Sequence, residues 1–181
     1  MSTIDIETEV IDIKKSPRNE GIVELIVARP GVGQRQEIDN GELDLEQGLI
    51  GDNWIKRVSD RTKGRSTYLD RQLTLMNSKA IQAIAKEKNR WKLSGDQFFV
   101  GLDLSPENLP PGTQLSMGTA IIVVTSPPHL GCKKFAEKFG QEALKFVNSE
   151  LGISLNLRGI NARVIFPGSV SRGSIIKKVI A

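Results

Sequence analysis

Hydrophobic and polar residues alternate in short runs along most of the chain, and the runs end at glycine, proline or charged turns. Gly21 to Ala28 (GIVELIVA) is β-branched and apolar and predicts a strand, which Arg29-Pro30-Gly31-Val32-Gly33 ends as a turn or loop. That loop is not a phosphate loop, because it lacks the terminal Gly-Lys-Ser/Thr and no helix pattern follows. Ahead of it, residues 1–20 are polar with scattered Ile4, Ile6, Val10 and Ile11, and read as a lead-in or first strand. Asp39 to Trp54 holds an Asn-Gly turn, and Gly48 and Gly51 predict a tight loop presenting Asp52 and Asn53. Arg57 to Arg71 is charge-rich and is expected to be an exposed, mobile loop. Gln72 to Met76 alternates as a short strand. Ser78 to Lys88 spaces Ile81, Ile84 and Ala85 along one helical face, with Asn77 or Ser78 as the cap.

Gly95 to Gly101 predicts a turn into a short strand, and Leu102 to Gly112 a proline-rich loop. Thr113 to Met117 and Thr119 to Thr125 read as paired strands meeting at Gly118. Phe135 to Asn148 predicts a helix with Phe135, Phe139, Ala143, Phe146 and Val147 on its apolar face, weakened or broken midway at Gly140. Leu155 to Ile160 turns through Gly159. Ala162 to Phe166 and Ile175 to Ile180 predict a closing hairpin. Seven or eight short strands with two or three covering helices predict a mainly β protein, a closed or nearly closed β-barrel, in one domain over 21–181.

Composition changes this picture little. The chain has 181 residues, ordinary hydrophobic and charged fractions, no signal-peptide pattern and no apolar run long enough to span a bilayer. One cysteine excludes an internal disulfide, which suits a reducing, cytoplasmic setting. Charge matters more. Gly131 to Ala181 carries nine Lys/Arg and three Glu, so its excess is +6 within a total of +4. The C-terminal part is the better home for an anionic ligand. Nucleic acid is disfavoured, because no basic stretch is interleaved with aromatic residues.

The candidate chemistry lies in Thr125 to Phe135 (TSPPHLGCKKF). It contains the only histidine, His129, and the only cysteine, Cys132, with Lys133 and Lys134 next to the thiol. Three loops could converge: Gly51-Asp52-Asn53-Trp54, Gly95-Asp96-Gln97 and the cysteine loop. Arg71, Lys133, Lys134, Arg158 and Arg163 are the cations that could surround them. A lone thiol among cations suits a soft metal or sulfur chemistry with an anion nearby. It does not suit zinc, since one Cys and one His cannot close a tetrahedral site. A Cys-His hydrolase lacks a visible third member or oxyanion hole.

The motifs then point to a family. Gly48-Leu49-Ile50-Gly51-Asp52, Arg71-Gln72-Leu73-Thr74-Leu75, Gly95-Asp96-Gln97-Phe98, Leu109-Pro110-Pro111-Gly112, Met117-Gly118-Thr119-Ala120, Cys132-Lys133-Lys134-Phe135 and Arg158-Gly159-Ile160 occur in one order. In that order the chain resembles the MOSC domain, named for the C-terminal domain of molybdenum cofactor sulfurases. Three positions depart from the family pattern: Gly131 where it often has proline, Trp54 where it often has histidine, and Gly173-Ser174 for a Gly-Asp. The resemblance implies a molybdenum-cofactor-binding barrel with Cys132 as metal ligand and His129 as its catalytic companion. It implies Asp52, Asn53, Arg71, Thr74, Gly95, Asp96, Lys133 and Arg158 as cofactor-binding residues, and reduction of small N-oxygenated compounds as the activity. The alternatives are a sulfur carrier using a Cys132 persulfide, and an inactive binding module. The pyridoxal-phosphate desulfurase found beside some MOSC domains is absent from this chain. A sulfur donor or electron-transfer partner would therefore be a separate protein.

Overall fold

The structure, a computed structural model, describes residues 3–57 and 68–179. The first helix, α1, is Thr3–Lys14, where a lead-in or strand was expected. Its Val10 and Ile13 are buried against helices further along the chain, which explains why apolar residues recur there without strand alternation. Then follow β1 (Glu20–Ala28), β2 (Gln36–Ile38), β3 (Asn40–Asp44), β4 (Gly48–Leu49) and a one-turn α2 (Trp54–Arg57). Most of the expected Arg57–Arg71 loop lies outside the described residues, and its end, Tyr68–Arg71, is a 3₁₀ turn. Next come β5 (Leu73–Asn77), α3 (Ser78–Ala85), a 3₁₀ segment (Lys88–Ser94), β6 (Phe98–Val100), β7 (Gln114–Met117) and β8 (Ala120–Val124). The chain ends with α4 (Lys133–Phe139), α5 (Gln141–Asn148), α6 (Glu150–Ser154), β9 (Ile160–Phe166), β10 (Gly168–Ser171) and β11 (Ile175–Lys178).

Seven strands close a barrel in the order β1-β6-β5-β9-β8-β7-β11, and β11 returns to pair with β1. Strand β2 adds to β1, and β10-β3-β4 form a small separate sheet. Pairings are antiparallel except β5 with β6, which α3 and the 3₁₀ segment connect as a crossover. Closure removes the exposed edges that short strands would otherwise present. The interior is filled with period-two residues: Leu73 and Leu75, Phe98 and Val100, Leu115 and Met117, Ile122 and Val124, Ala162 and Val164. Strand β1 breaks that period for a visible reason. Its register against β6 shifts between Val23 and Leu25, so Val23, Ile26 and Ala28 point inward. Leu25 and Val27 pack outward on Met76, Ile81, Trp91 and Phe99.

Two expectations give way here. Asn40-Gly41 opens β3 rather than turning, and Gly41 is needed because a Cβ there would stand 2.7 Å from Leu49 Cδ1. The final segments do not form a hairpin either. β9 pairs with β5 and β8, while β11 pairs with β7 and β1, and β10 intervenes between them in sequence. Ile180 lies outside the described residues. The helical stretch breaks where Gly140 was expected to interrupt it, into α4 and α5, because Gly140 adopts φ of 88° between them.

The Asn77 cap ties helix to barrel. Its Oδ1 accepts from Lys79 N and Ala80 N, while Nδ2 donates to Leu102 O at 2.7 Å and Ser16 Oγ at 2.9 Å. Asn77→Ala should therefore cost about 2 kcal/mol or more, since cap and buried acceptor are lost together. Asn77→Asp keeps the cap acceptor but sets a buried carboxylate oxygen against Leu102 O, so it should not recover the loss, as read by urea denaturation.

Candidate functional site

The polar residues that the core cannot absorb collect around Gly95, Asp96 and Gln97, just before β6. Asp96 is fully buried. Its Oδ2 accepts from Ser94 Oγ at 2.7 Å and from Arg158 Nη1 at 2.6 Å, and its Oδ1 meets His129 Nε2 at 2.9 Å. Arg158 also donates Nη2 to Ser94 O at 3.0 Å and lies over the Phe135 ring, 5.0 Å from its centroid. Two predicted loops and the start of β9 therefore do converge. Burial opposes ionisation of Asp96, but the Arg158 charge and the hydrogen bonds from His129 and Ser94 outweigh it and hold the carboxyl far below the usual carboxylate range.

His129 is pushed below its ordinary value of 6.5, first by burial and then by the Arg158 charge, with Asp96 opposing both. The neutral ring then donates Nε2–H to Asp96, and Nδ1 keeps its lone pair. No other hydrogen bond to His129 occurs among the described residues. The ring packs over Gly159, whose φ of 109° and contact with Leu75 O leave no room for a side chain. His129 also walls a cavity of about 180 Å³ that Leu109, Pro111, Val124, Asn156 and Asn161 line as well.

Cys132 is exposed, in extended conformation at the N-cap of α4, and its carbonyl accepts from Phe135 N and Ala136 N. It does not line the His129 cavity. Gly131 locks it in place: its N–H donates to Asn148 Oδ1 at 2.8 Å, and its carbonyl accepts from Asn148 Nδ2 at 3.0 Å. Proline at 131 would lose the first bond, and a Cβ would stand 2.8 Å from Leu144 and Val147. The glycine before the cysteine is thus a requirement of α5. Lys133 and Lys134 are exposed, without ion pairs among the described residues.

The remaining predicted residues divide. Asp52 is buried and gripped by Arg29: Nε to Oδ2 at 2.7 Å, Nη2 to Oδ1 at 2.9 Å. It is not presented outward as the glycine pattern suggested. Asn53 follows it, with N–H on Arg29 O and a buried Oδ1 that has no partner among the described residues. Gly95, at φ of 89°, receives Arg29 Nη1 on its carbonyl at 2.9 Å. Thr74 N and Oγ1 both reach Gln97 Oε1, leaving the buried Gln97 Nε2 without a partner among the described residues. Arg158 Nε is likewise buried and without a partner among them. Arg71 is exposed and reaches Pro128 O at 3.5 Å, while Arg163 faces Asp70 at 3.7 Å. Trp54 stacks on Tyr68, with 6.0 Å between ring centroids and 8° between planes. Ser94, Arg29 and Arg35 are the members that sequence reasoning passed over; the Arg-Pro-Gly-Val-Gly-Gln-Arg spacing was the available signal.

Solved structures share this fold. The YuaD protein of Bacillus subtilis superposes with a TM-score of 0.65 at 18% identity, over 88% of this chain and 95% of its own. YiiM of Escherichia coli gives 0.56 at 22%, over 88% and 70%. YiiM of Geobacillus stearothermophilus gives 0.60 at 16%, over 89% and 75%. No family model and no curated protein matches the chain in sequence. The likeness is one of fold, and the closed mixed barrel is the MOSC-like architecture that the motif order implied.

Because His129 is the only histidine, its ring protons can be followed by NMR. Its midpoint should lie below 6.5, rise in Arg158→Gln, and fall further in Asp96→Asn. A depressed folded value means that the unfolded chain binds the proton first. Stability from this group should be complete above pH 6.5 and be lost as pH falls toward the folded midpoint. Gly131→Pro should destabilise the chain by about 2 kcal/mol or more in thermal melts, through the lost Asn148 bond and overpacking.

Proposed function

We propose that the chain binds molybdenum cofactor, with Cys132 as the protein ligand to the metal, and supports reduction of small N-oxygenated compounds. The observation that carries this reading is the division of one loop: an exposed, unpaired thiol at Cys132, and three residues earlier an inward-facing His129 on a small cavity. A thiolate is a soft donor. Among the described residues no three His, Cys, Asp or Glu converge, so a metal here would take one protein ligand and the rest from its own cofactor.

The orphaned polar atoms fit such a group. A pterin presents alternating donors and acceptors, and the site offers Asn53 Oδ1 as acceptor with Gln97 Nε2 and Arg158 Nε as donors. Thr74 would act by holding Gln97 through its carbonyl oxygen, and Asp96 by holding Arg158. Asp52 would act likewise by fixing Arg29 at Gly95. Lys133, and Arg71 beside Pro128, would supply exposed positive charge. The bound cofactor would supply the two-electron chemistry of oxygen removal, fed by a separate electron-transfer protein. His129 handles the proton: with Nε2–H fixed on Asp96, Nδ1 takes one from solvent and releases it readily, since the protonated ring is disfavoured. A cavity of about 180 Å³ admits only a small molecule beside it.

The exposure of Cys132 also favours a second reading, a sulfur carrier whose Cys132 persulfide is offered to a partner.

Metal analysis of gently purified protein, followed by reconstitution, should find molybdenum in the wild type and none in Cys132→Ser. His129→Gln should keep the metal and lower turnover by on the order of 10²-fold. A chain that neither carries nor takes up the cofactor would sink the first reading. Sulfur added to Cys132 by a desulfurase, seen as a mass increase in that same chain, would support the second.

A further inference from the structure

The outer surface of the barrel is covered unevenly. Leu25 and Val27, in the second half of β1, turn outward under Met76, Ile81, Trp91 and Phe99. The first half of the same strand has no such cover among the described residues. There Glu20 stands opposite Lys177, and Ile22 opposite Ile175, in the pairing of β1 with β11. Directly opposed residues share one face of the sheet, and Ile176, between the two rows, points into the core. The outward face therefore carries two isoleucines beside an acid and a base. Ile22 is 53% exposed and Ile175 52%, although side chains of that size gain from burial. Both line a shallow hollow of about 500 Å³ with Pro17 and Gly101. Glu20 and Lys177 are exposed, and neither has an ion pair among the described residues.

Topology limits what can dock here. β1 and β11 are paired with each other over these rows, and with β6 and β7 beyond them, so no strand edge is open to an added peptide strand. An anionic lipid surface suits Lys177 but not the Glu20 beside it. A second copy of the chain suits both. A two-fold axis that runs along the strands, between β1 and β11, exchanges the two strands. Ile22 then meets Ile175 of the second copy, Glu20 meets Lys177 of the second copy, and each contact occurs twice. An axis across the strands would instead set Glu20 against Glu24 of the second copy, which shares the hollow with Ile22. Charge complementarity thus selects the first arrangement.

We propose that this face joins two copies of the chain, with Ile22 and Ile175 at its centre and reciprocal Glu20–Lys177 pairs at its side. The patch is small, so the association is weak and concentration-dependent, in the class that buries less than about 1,200 Å². It lies at the start of β1, whereas Arg29, which reaches Gly95 O, follows the end of that strand. The candidate site therefore stays open in both copies. The inference does not rest on the cofactor reading.

Sedimentation equilibrium of the full chain, from about 10 µM to about 500 µM with a reductant present, tests it. The mass is expected to rise from 19.9 kDa toward twice that value. Ile175→Asp should weaken association by about tenfold or more. Glu20→Lys and Lys177→Glu should each do the same, because each turns two attractions into two repulsions. An equimolar mixture of those two variants should associate again, since every charge then faces its opposite in the other copy. Phe166→Asp, at an exposed position on β9, should associate as the wild type does. All these positions are exposed, and circular dichroism checks that each variant keeps its fold. The dimer face is overturned if the wild type stays at the monomer mass throughout, or if folded Ile175→Asp or either charge variant associates undiminished. It is overturned equally if the mixture fails to associate, or if Phe166→Asp separates the copies. A chain that stays monomeric and binds phosphatidylglycerol vesicles through Ile175 would overturn it in favour of a membrane. Cys132→Ser should associate as the wild type does, and molybdenum absent from an associating chain would remove the cofactor reading alone.

Discussion

The site depends on one buried charge. Asp96 has no contact with solvent, and an ionised carboxylate in that position persists only if its oxygens are compensated. The compensation comes from three places: Ser94 two residues before it, His129 33 positions on, and Arg158 62 positions on. Breaking such a pair by removing one partner leaves the other charge stranded, at a cost on the order of 3–5 kcal/mol. Asp96 therefore fixes where the cysteine loop and the start of β9 lie relative to β6. Arg158, held by Asp96 below, stacks on Phe135 and so carries the constraint to the helix that Cys132 caps.

The barrel was legible because its information is local and periodic. Leu73 and Leu75, or Ile122 and Val124, announce an inward face without reference to anything distant. The cap at Asn77 and the break at Gly140 were equally local. Failures came where neighbours far along the chain decide. The first helix is polar and weakly patterned, and it is helical alongside α3 because Val10 and Ile13 find a cluster to join. The final hairpin was wrong because β11 closes the barrel on β1, 155 positions away by the pairing of Gly21 with Ile176. Strand partners of that kind leave no mark in the alternation.

The site was legible as a set of residues but not as a circuit. Asp96, His129 and Arg158 were each singled out, and the fold joins them. Asp52 was expected outward on its glycine loop and is turned inward instead, because Arg29 supplies the matching fork. The motif departures acquire physical reasons on the same scale. Gly131 stands before the cysteine because Asn148 needs its N–H and α5 leaves no room for a Cβ. Trp54 is largely buried and stacked on Tyr68, so it acts as packing at the head of α2.

These pairings also explain how one loop serves two environments. His129 lies three residues before Cys132, yet burial and the Asp96 bond draw it inward while the thiol stays in water. The turn between them is free to divide in this way because Gly131 is clamped at both its N–H and its carbonyl by Asn148, so α5 adds a hold on the thiol's position to the one that Arg158 and Phe135 carry from the barrel. A proton-handling group held by the barrel and an exposed soft donor beside the helices leave one strand end three residues apart. A change that loosens α5 acts first on the thiol, while the Asp96 contacts hold the ring.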